Sequence, residues 1–258
     1  MSYAHPQSLA GRAVIVTGAA QGVGKGIAGA LLERGASVLL VDRQPDVLAE
    51  TASEFARASL PSEYLVADLR DPLSSGEILD VALTRLGKID ALVNNAIATN
   101  EPKPLADITE EDYNLVFDVG PKATFFLMQA VHPTMAAAGG GAIVNLGSGS
   151  GTGGQAMFSA YAGAKEAIRG MSKAAAIEWG RDNVRVNVVC PFADSPGVLS
   201  WQEMAPKDYD RAVRGVPLRR VGRMREDIGA VVAFLIGEDG TYLTGQTIMV
   251  DGGMGVFR

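Results

Sequence analysis

The chain has 258 residues, 47% hydrophobic and 20% charged, an ordinary globular balance that suits one α/β domain with a sizeable core. Its formal net charge is −6 and no block of Lys and Arg is dense enough to track phosphates, which argues against nucleic acid as a partner. The one cysteine, Cys190, allows no internal disulfide, and no apolar run approaches the ~20 residues that cross a bilayer.

Residues 1–8 hold neither a basic leader nor an apolar core, so no secretory signal is expected and the protein is read as cytoplasmic. The β-branched run 13–17 predicts a buried strand, and 23–34 a helix stopped by Gly35. A strand follows at 37–41, a helix at 46–58, a strand at 64–67, a helix at 73–86 and a strand at 89–93. Residues 110–135 read as one long helix with an irregularity at Pro121. Then come a strand at 142–146, a helix at 161–179 and a strand at 184–189. Residues 206–215 read as a polar, loop-rich insertion, before a helix at 227–236 and a last strand at 247–250. Apolar strands alternating with crossover helices predict a parallel sheet covered on both faces. With no linker or repeat, the expected architecture is a single α/β domain over 1–258. It is Rossmann-type and doubly wound, with a seven-stranded, mostly parallel sheet and helices on both faces. His5 and His132 are far apart with no cysteine at ligand spacing, so no metal site is expected.

The first strand runs into Thr17-Gly18-Ala19-Ala20-Gln21-Gly22-Val23-Gly24. Small residues at a strand-to-helix turn let the backbone approach a pyrophosphate, and the helix N-terminus offers free N–H groups. Glycines in a turn also serve tight packing alone; the position between first strand and first helix favours the phosphate role. Asp42 ends the second strand about 20 residues later, where a carboxylate can accept hydrogen bonds from ribose hydroxyls and repel a 2′-phosphate. That favours NAD over NADP. Arg43 argues the other way, since a guanidinium can pair with that phosphate, and Asp42 can instead cap the following turn.

Tyr161 and Lys165 stand at i, i+4 and share one helix face. A phenol with a pKa near 10 is a poor base at neutral pH, but a nearby ammonium and an oxidised nicotinamide would lower it. Lys165 can also bind ribose, and Ser148, just after a strand, can hold a substrate oxygen. Taken alone, such Tyr-x-x-x-Lys pairs are mostly ordinary helix-surface residues.

Together these motifs resemble the classical short-chain dehydrogenase/reductases. The resemblance spans nearly the whole chain: the glycine turn, Asp68-Leu69, Asn94-Asn95-Ala96, Ser148, Tyr161 with Lys165, Arg185-Val186-Asn187, and the tail from Tyr242 to Gly253. It implies a nucleotide-binding oxidoreductase with Tyr161 as general acid/base, Lys165 binding ribose and lowering the tyrosine's pKa, and Ser148 orienting the substrate oxygen. Gly18, Gln21, Gly22 and Val23 would line the pyrophosphate, and Asp42 the adenosine ribose. Asp68 and Leu69 would meet the adenine, and Asn95 the nicotinamide-side ribose region, with Asp194 also on the cofactor side. It further implies a homotetramer paired through the helices at 110–135 and 161–179, whose alanine-rich face (Ala164, Ala167, Ala174, Ala175) suits close packing against a neighbour or within a core.

Three departures from the family pattern stand out. Gly120, followed by Pro121, takes the position of an asparagine that supports a water in the proton relay. The space it leaves would admit a second water, or Asp118 or Asn114 would substitute. Ile97 replaces the glycine of Asn-Asn-Ala-Gly. Cys190-Pro191-Phe192-Ala193-Asp194 replaces a Pro-Gly strand end and sets Phe192 near the nicotinamide, with Ser195 as the candidate for the missing threonine. Cys190 itself reads as a buried, inert thiol. Pocket walls are expected from residues 97–104, 149–158 and 192–214. Glycines at 149, 151, 153 and 154 suggest a roomy or flexible entrance. Trp201, Met204 and Tyr209 form an apolar lid over the substrate or pack the loop on a neighbouring subunit. Asp194, Glu203 and Lys207 meet a polar substrate or water.

The leading expectation is hydride transfer between NAD(H) and a secondary alcohol/ketone pair, with small-molecule substrates and no nucleic-acid or membrane partner. One alternative is an NADPH-dependent ketoreductase of the 3-oxoacyl type. The other is a dinucleotide-binding sensor or partner-binding protein that has lost catalysis.

Overall fold

A computed structural model describes residues 7–255, so His5 and nearly all of the N-terminal segment lie outside the described residues. The strands are β1 (Ala13–Thr17), β2 (Ser37–Asp42), β3 (Glu63–Val66), β4 (Ala91–Asn94), β5 (Gly141–Leu146), β6 (Val184–Pro191) and β7 (Thr247–Val250). They form one sheet in the order β3-β2-β1-β4-β5-β6-β7, and every pairing is parallel, where the sequence suggested mostly parallel. The order reverses between β1 and β4, which opens a crevice at their carboxyl ends.

The helices between strands are α1 (Gly22–Leu32), α2 (Pro45–Arg57), α3 (Ser74–Leu86), α4 (Glu110–Phe117), α5 (Ala123–Ala137), α6 (Gly149–Gly153), α7 (Ser159–Trp179), α8 (Pro196–Met204), α9 (Pro206–Gly215) and α10 (Ala230–Ile236). Strand residues point alternately to two layers. Val14, Val16, Leu40, Val93 and Val144 pack with α1 and α10, whereas Ile15, Leu39, Leu92 and Ile143 pack with α3 and α5. Each fully buried aliphatic side chain contributes roughly 1.5–3 kcal/mol, and burial on both faces is why these strands read as continuous apolar runs. Among the described residues, no helix is long and apolar enough to cross a membrane.

Four local features differ from the sequence reading. The helix expected over 110–135 is interrupted by a π-turn at Asp118–Lys122 between α4 and α5. Pro121 has no N–H to give and its ring crowds the preceding turn, so an extra residue is wound in without breaking the axis. A second π-turn, Met224–Gly229, precedes α10. There an added Cβ on Gly229 would lie 2.5 Å from Ala30 Cβ, so α1 packs too closely for any side chain. The segment 206–215 is helical: α9 starts with proline in its first turn and carries Asp208 early and Arg214 late, which suits the helix dipole. The glycine-rich entrance winds into the short α6, whose first turn Ser148 caps by accepting from Ser150 N at 3.1 Å.

Candidate active site

The glycine turn lies at the switch point. Gly18 has φ +65°, in the left-handed region that only glycine enters freely. A Cβ on Gly24 would lie 2.1 Å from the Gly18 carbonyl oxygen, so the turn closes only without a side chain there. Gln21 precedes α1 without capping it and no acidic residue stands in its first turn. That turn therefore carries no side-chain cap and no carboxylate of its own, which leaves its N–H groups for a pyrophosphate. Asn95 does more than the sequence suggested: its Nδ2 donates to the carbonyls of Thr17 (2.9 Å) and Gly18 (3.0 Å). Thr17 Oγ1 accepts in return from the backbone N–H groups of Asn95 and Ala96, each at 3.1 Å. These bonds strap β4 to the turn across the crevice. Thr17 went unassigned in the sequence, although a hydroxyl ending an otherwise apolar strand was the available signal.

On the adenosine side, Asp42 is buried and its carboxylate accepts from Ala20 N and Gln44 N, both at 3.1 Å. It thus caps the following turn and also ties β2 to the glycine turn; Oδ1 also accepts from Gln44 Nε2 at 3.5 Å, and Oδ2 retains a further lone pair for a ribose hydroxyl. Beside it opens a cavity of about 540 Å³ lined by Arg43, Val47, Val66, Ala67 and Asp68 among others. Apolar walls with an acceptor at one edge suit an adenine ring. Asp68 is held by Arg70, whose guanidinium keeps the carboxyl below its ordinary range. Leu69 packs on the core layer behind. Arg43 lines the cavity without an ion-pair partner among the described residues. The glycine turn, the uncapped α1 start and this cavity together fit an NAD(P) molecule.

At the carboxyl ends of β5 and β6, Ser148, Tyr161 and Lys165 come together. Lys165 is 3% exposed, and its Nζ donates to the Leu146 carbonyl at 2.7 Å and lies 5.7 Å from the Tyr161 ring centroid. Burial lowers the lysine to about 8. Burial also raises the Tyr161 phenol; the Ser148 hydroxyl beside it pulls the other way without prevailing. The sequence reading expected lysine and an oxidised nicotinamide together to lower the phenol; in the protein alone desolvation dominates both groups and drives each toward its neutral form. Cys190 stands nearby, buried and pushed up to about 11, an inert thiol.

The segment after β6 is braced by its own contacts. Asp194 Oδ1 accepts from Met224 N at 3.1 Å and caps the second π-turn, Ser195 caps α8 by accepting from Val198 N, and Phe192 is half-buried. Trp201 and Tyr209 meet edge-on at 5.6 Å and bind α8 to α9, whereas Met204, Glu203 and Lys207 are exposed. His132 stacks on Trp179 at 4.4 Å and meets Asp182 at 3.0 Å, all three half-buried. A buried polar row also went unassigned: Asn94 Nδ2 donates to Asn145 Oδ1 (2.8 Å), and Asn145 Nδ2 to Ser172 Oγ (2.8 Å). It fixes β4, β5 and α7 in register one residue before the Leu146 carbonyl that holds Lys165.

Gly120 and Ile97, expected to act separately, meet. A Cβ on Gly120 would lie 2.5 Å from Ile97 Cδ1, so the isoleucine fills the space that the sequence reading assigned to a second water. Asp118 does not substitute there, because it pairs with Lys122 at 2.8 Å, and Asn114 is exposed.

A parallel doubly wound sheet with a glycine turn at its switch point defines a dinucleotide-binding protein of the oxidoreductase class. A family model described as enoyl-(acyl carrier protein) reductase matches residues 18–255. The chain is 35% identical over 252 residues to a 12alpha-hydroxysteroid dehydrogenase of a Clostridium species, covering 95% of this chain and 97% of that protein. It is 33% identical over 260 residues to a sorbitol dehydrogenase of Cereibacter sphaeroides, covering 95% and 98%. A solved short-chain type dehydrogenase/reductase from Mycobacterium ulcerans superposes with a TM-score of 0.90 at 28% identity, covering 95% of this chain and 90% of that one. The chain belongs to the short-chain dehydrogenase/reductase family, and it is an NAD(P)-dependent oxidoreductase acting on CH–OH groups of small molecules.

Proposed function

We propose that this protein oxidises a secondary alcohol to a ketone with NAD, and that Ser148, Tyr161 and Lys165 carry the proton chemistry. The observation that carries this reading is the meeting of those three side chains around the buried Lys165–Leu146 contact. Bound NAD supplies the hydride acceptor and a positive charge. Ser148 Oγ would donate to the substrate oxygen and orient it, and the Tyr161 phenolate would take the proton of the substrate hydroxyl. Lys165 Nζ, fixed by the Leu146 carbonyl, binds ribose hydroxyls and stabilises the phenolate by its charge. Gly18, Gln21, Gly22 and Val23 hold the pyrophosphate through backbone N–H groups, Asp42 the adenosine ribose, and Asp68 and Leu69 the adenine edge. Asn95 acts on the cofactor through the strap, and Asp194 through the segment it braces.

The preference for NAD rests on Asp42, fixed between two backbone N–H groups and facing the glycine turn. Arg43, which lines the adenosine cavity, supports the second reading, an NADPH-dependent ketoreductase. The chain is read as a single domain with residues 192–214 as the substrate lid, and as a cytoplasmic homotetramer. Phe125, Phe126 and Ile177 leave apolar surface on α5 and α7 that suits such pairing, whereas Ala164 and Ala175 of the alanine-rich face lie in the core.

Fluorescence titration with NAD and NADP, followed by absorbance of NADH formation over a panel of cyclic and acyclic secondary alcohols, tests the proposal. Tighter NAD binding with turnover of panel members is expected. Tighter NADP binding favours the ketoreductase, and NAD binding without any turnover favours a sensor.

A further inference from the structure

Among the described residues, four that are not glycine have a positive φ: Ser59 (60°), Met157 (70°), Asn183 (56°) and Arg219 (56°). Three of them have a local reason for it. Ser59 follows the C-cap of α2, where a left-handed residue closes a helix. Asn183 Nδ2 donates to the Gly139 carbonyl at 3.0 Å, and the Arg219 guanidinium donates to the Arg214 carbonyl. Met157 differs. Left-handed backbone is strained for a bulky residue, and glycine would hold the same turn freely. Its side chain is 43% exposed and joins none of the apolar clusters that make the core. Met157 stands in the loop between α6, which Ser148 caps, and α7, which carries Tyr161. Its carbonyl accepts from Lys103 N at 3.1 Å, so that loop is tied to the segment leaving β4. Residues 149–158 carry no charge, and the Lys103 ammonium is taken up by Asp112 at 2.8 Å.

We propose that Met157 is a specificity-determining residue: its left-handed backbone turns the thioether side chain toward the substrate, where it packs on the hydrocarbon body of the bound alcohol. The substrate class is then a cyclic, apolar secondary alcohol rather than a small or ionised one. A side chain held in a strained conformation, with no place in the core of the free protein, has its packing partner in the complex. Methionine suits such a wall, because its unbranched, polarizable chain adapts to the face of a ring. The uncharged loop 149–158 and the neutralised Lys103 leave that side of the rim without a group to hold an anion. The inference rests on the proposed oxidation of a secondary alcohol, but its test reads binding, so either can fail without the other.

Protein saturated with oxidised cofactor forms a dead-end complex with a ketone, so calorimetry reads ketone affinity without turnover. The parent should bind decalone, a bicyclic hydrocarbon ketone, about tenfold or more tightly than acetone. Met157→Ala keeps the strained backbone and loses the side chain; decalone should then bind about tenfold more weakly, with acetone unchanged. Met157→Leu, which keeps an apolar chain of similar size, should restore most of the decalone affinity. Met157→Gly should bind decalone as weakly as Met157→Ala yet unfold at a higher temperature, because glycine relieves the left-handed strain. Parent and Met157→Ala proteins that bind decalone equally, or a parent that binds it no more tightly than acetone, overturn the assignment. A Met157→Gly protein no more stable than Met157→Ala removes the strain on which it stands. If the affinities follow the expected pattern while no alcohol of the panel turns over, the proposed oxidation fails and the apolar wall stands.

Discussion

Replacing Lys165 by methionine should make the protein more stable while abolishing its turnover. Burial holds the amine at about 8 against an ordinary value of 10.5, and each tenfold change in a protonation constant is worth about 1.4 kcal/mol. Keeping this ammonium inside the fold therefore costs about 3 kcal/mol at pH 7. The substitution also removes the charge-assisted hydrogen bond to the Leu146 carbonyl, a loss of about 2 kcal/mol, leaving a net gain of about 1 kcal/mol. The pH dependence follows from the depressed value. Below 8 the amine is charged in both the folded and unfolded chain, and the full cost is present. Between 8 and 10.5 the unfolded chain binds more protons, so the parent gains stability as pH rises, and above 10.5 the cost is gone. Urea unfolding of parent and Lys165→Met at intervals from pH 7 to 10 reads the difference directly. A gap that does not shrink over that range, or a variant less stable than the parent at pH 7, refutes the reasoning.

Three further outcomes follow from the geometry. Asp42→Ala should raise the KM for NAD by about tenfold or more and narrow the preference over NADP, because both the ribose acceptor and the repulsion of a 2′-phosphate are lost; steady-state kinetics with each cofactor checks it. Gly24→Ala should cost roughly 1–3 kcal/mol of stability and weaken NAD binding, since the new methyl meets the Gly18 carbonyl; thermal unfolding and a binding titration measure both. Asn145→Ala breaks the Asn94–Asn145–Ser172 row and should destabilise by about 1–3 kcal/mol through the unpaired partners it leaves, readable as a lower urea midpoint.

Strands were legible because burial on both faces writes them as short apolar runs. Their ends drifted by a residue or two, as at β4, where Asn94 continues a strand that hydropathy alone ends at Val93. The π-turn at Asp118–Lys122 was visible only as a proline in a helical pattern, since Pro121 announces a disturbance but not its form. Helix α9 was hidden by its polarity: Tyr209, Ala212 and Val213 recur at helical spacing, but charged and polar residues dominate the segment and none of its residues is buried. Of the site, Ser148, Tyr161, Lys165 and the glycine turn could be found from spacing. The Ile97–Gly120 interlock could not, because it joins two positions 23 apart in the chain whose contact only the folded sheet creates. How deeply Tyr161 and Lys165 are buried was not legible either, since spacing reveals a charged neighbour but not its desolvation.

Tyr161→Phe tests most directly whether Tyr161 exchanges the substrate's proton, once the alcohol panel has supplied a substrate. Turnover should fall by about 10²-fold or more, while NAD affinity and Tm stay close to those of the parent. A folded Tyr161→Phe protein that binds NAD and oxidises the alcohol at the parent rate contradicts the mechanism.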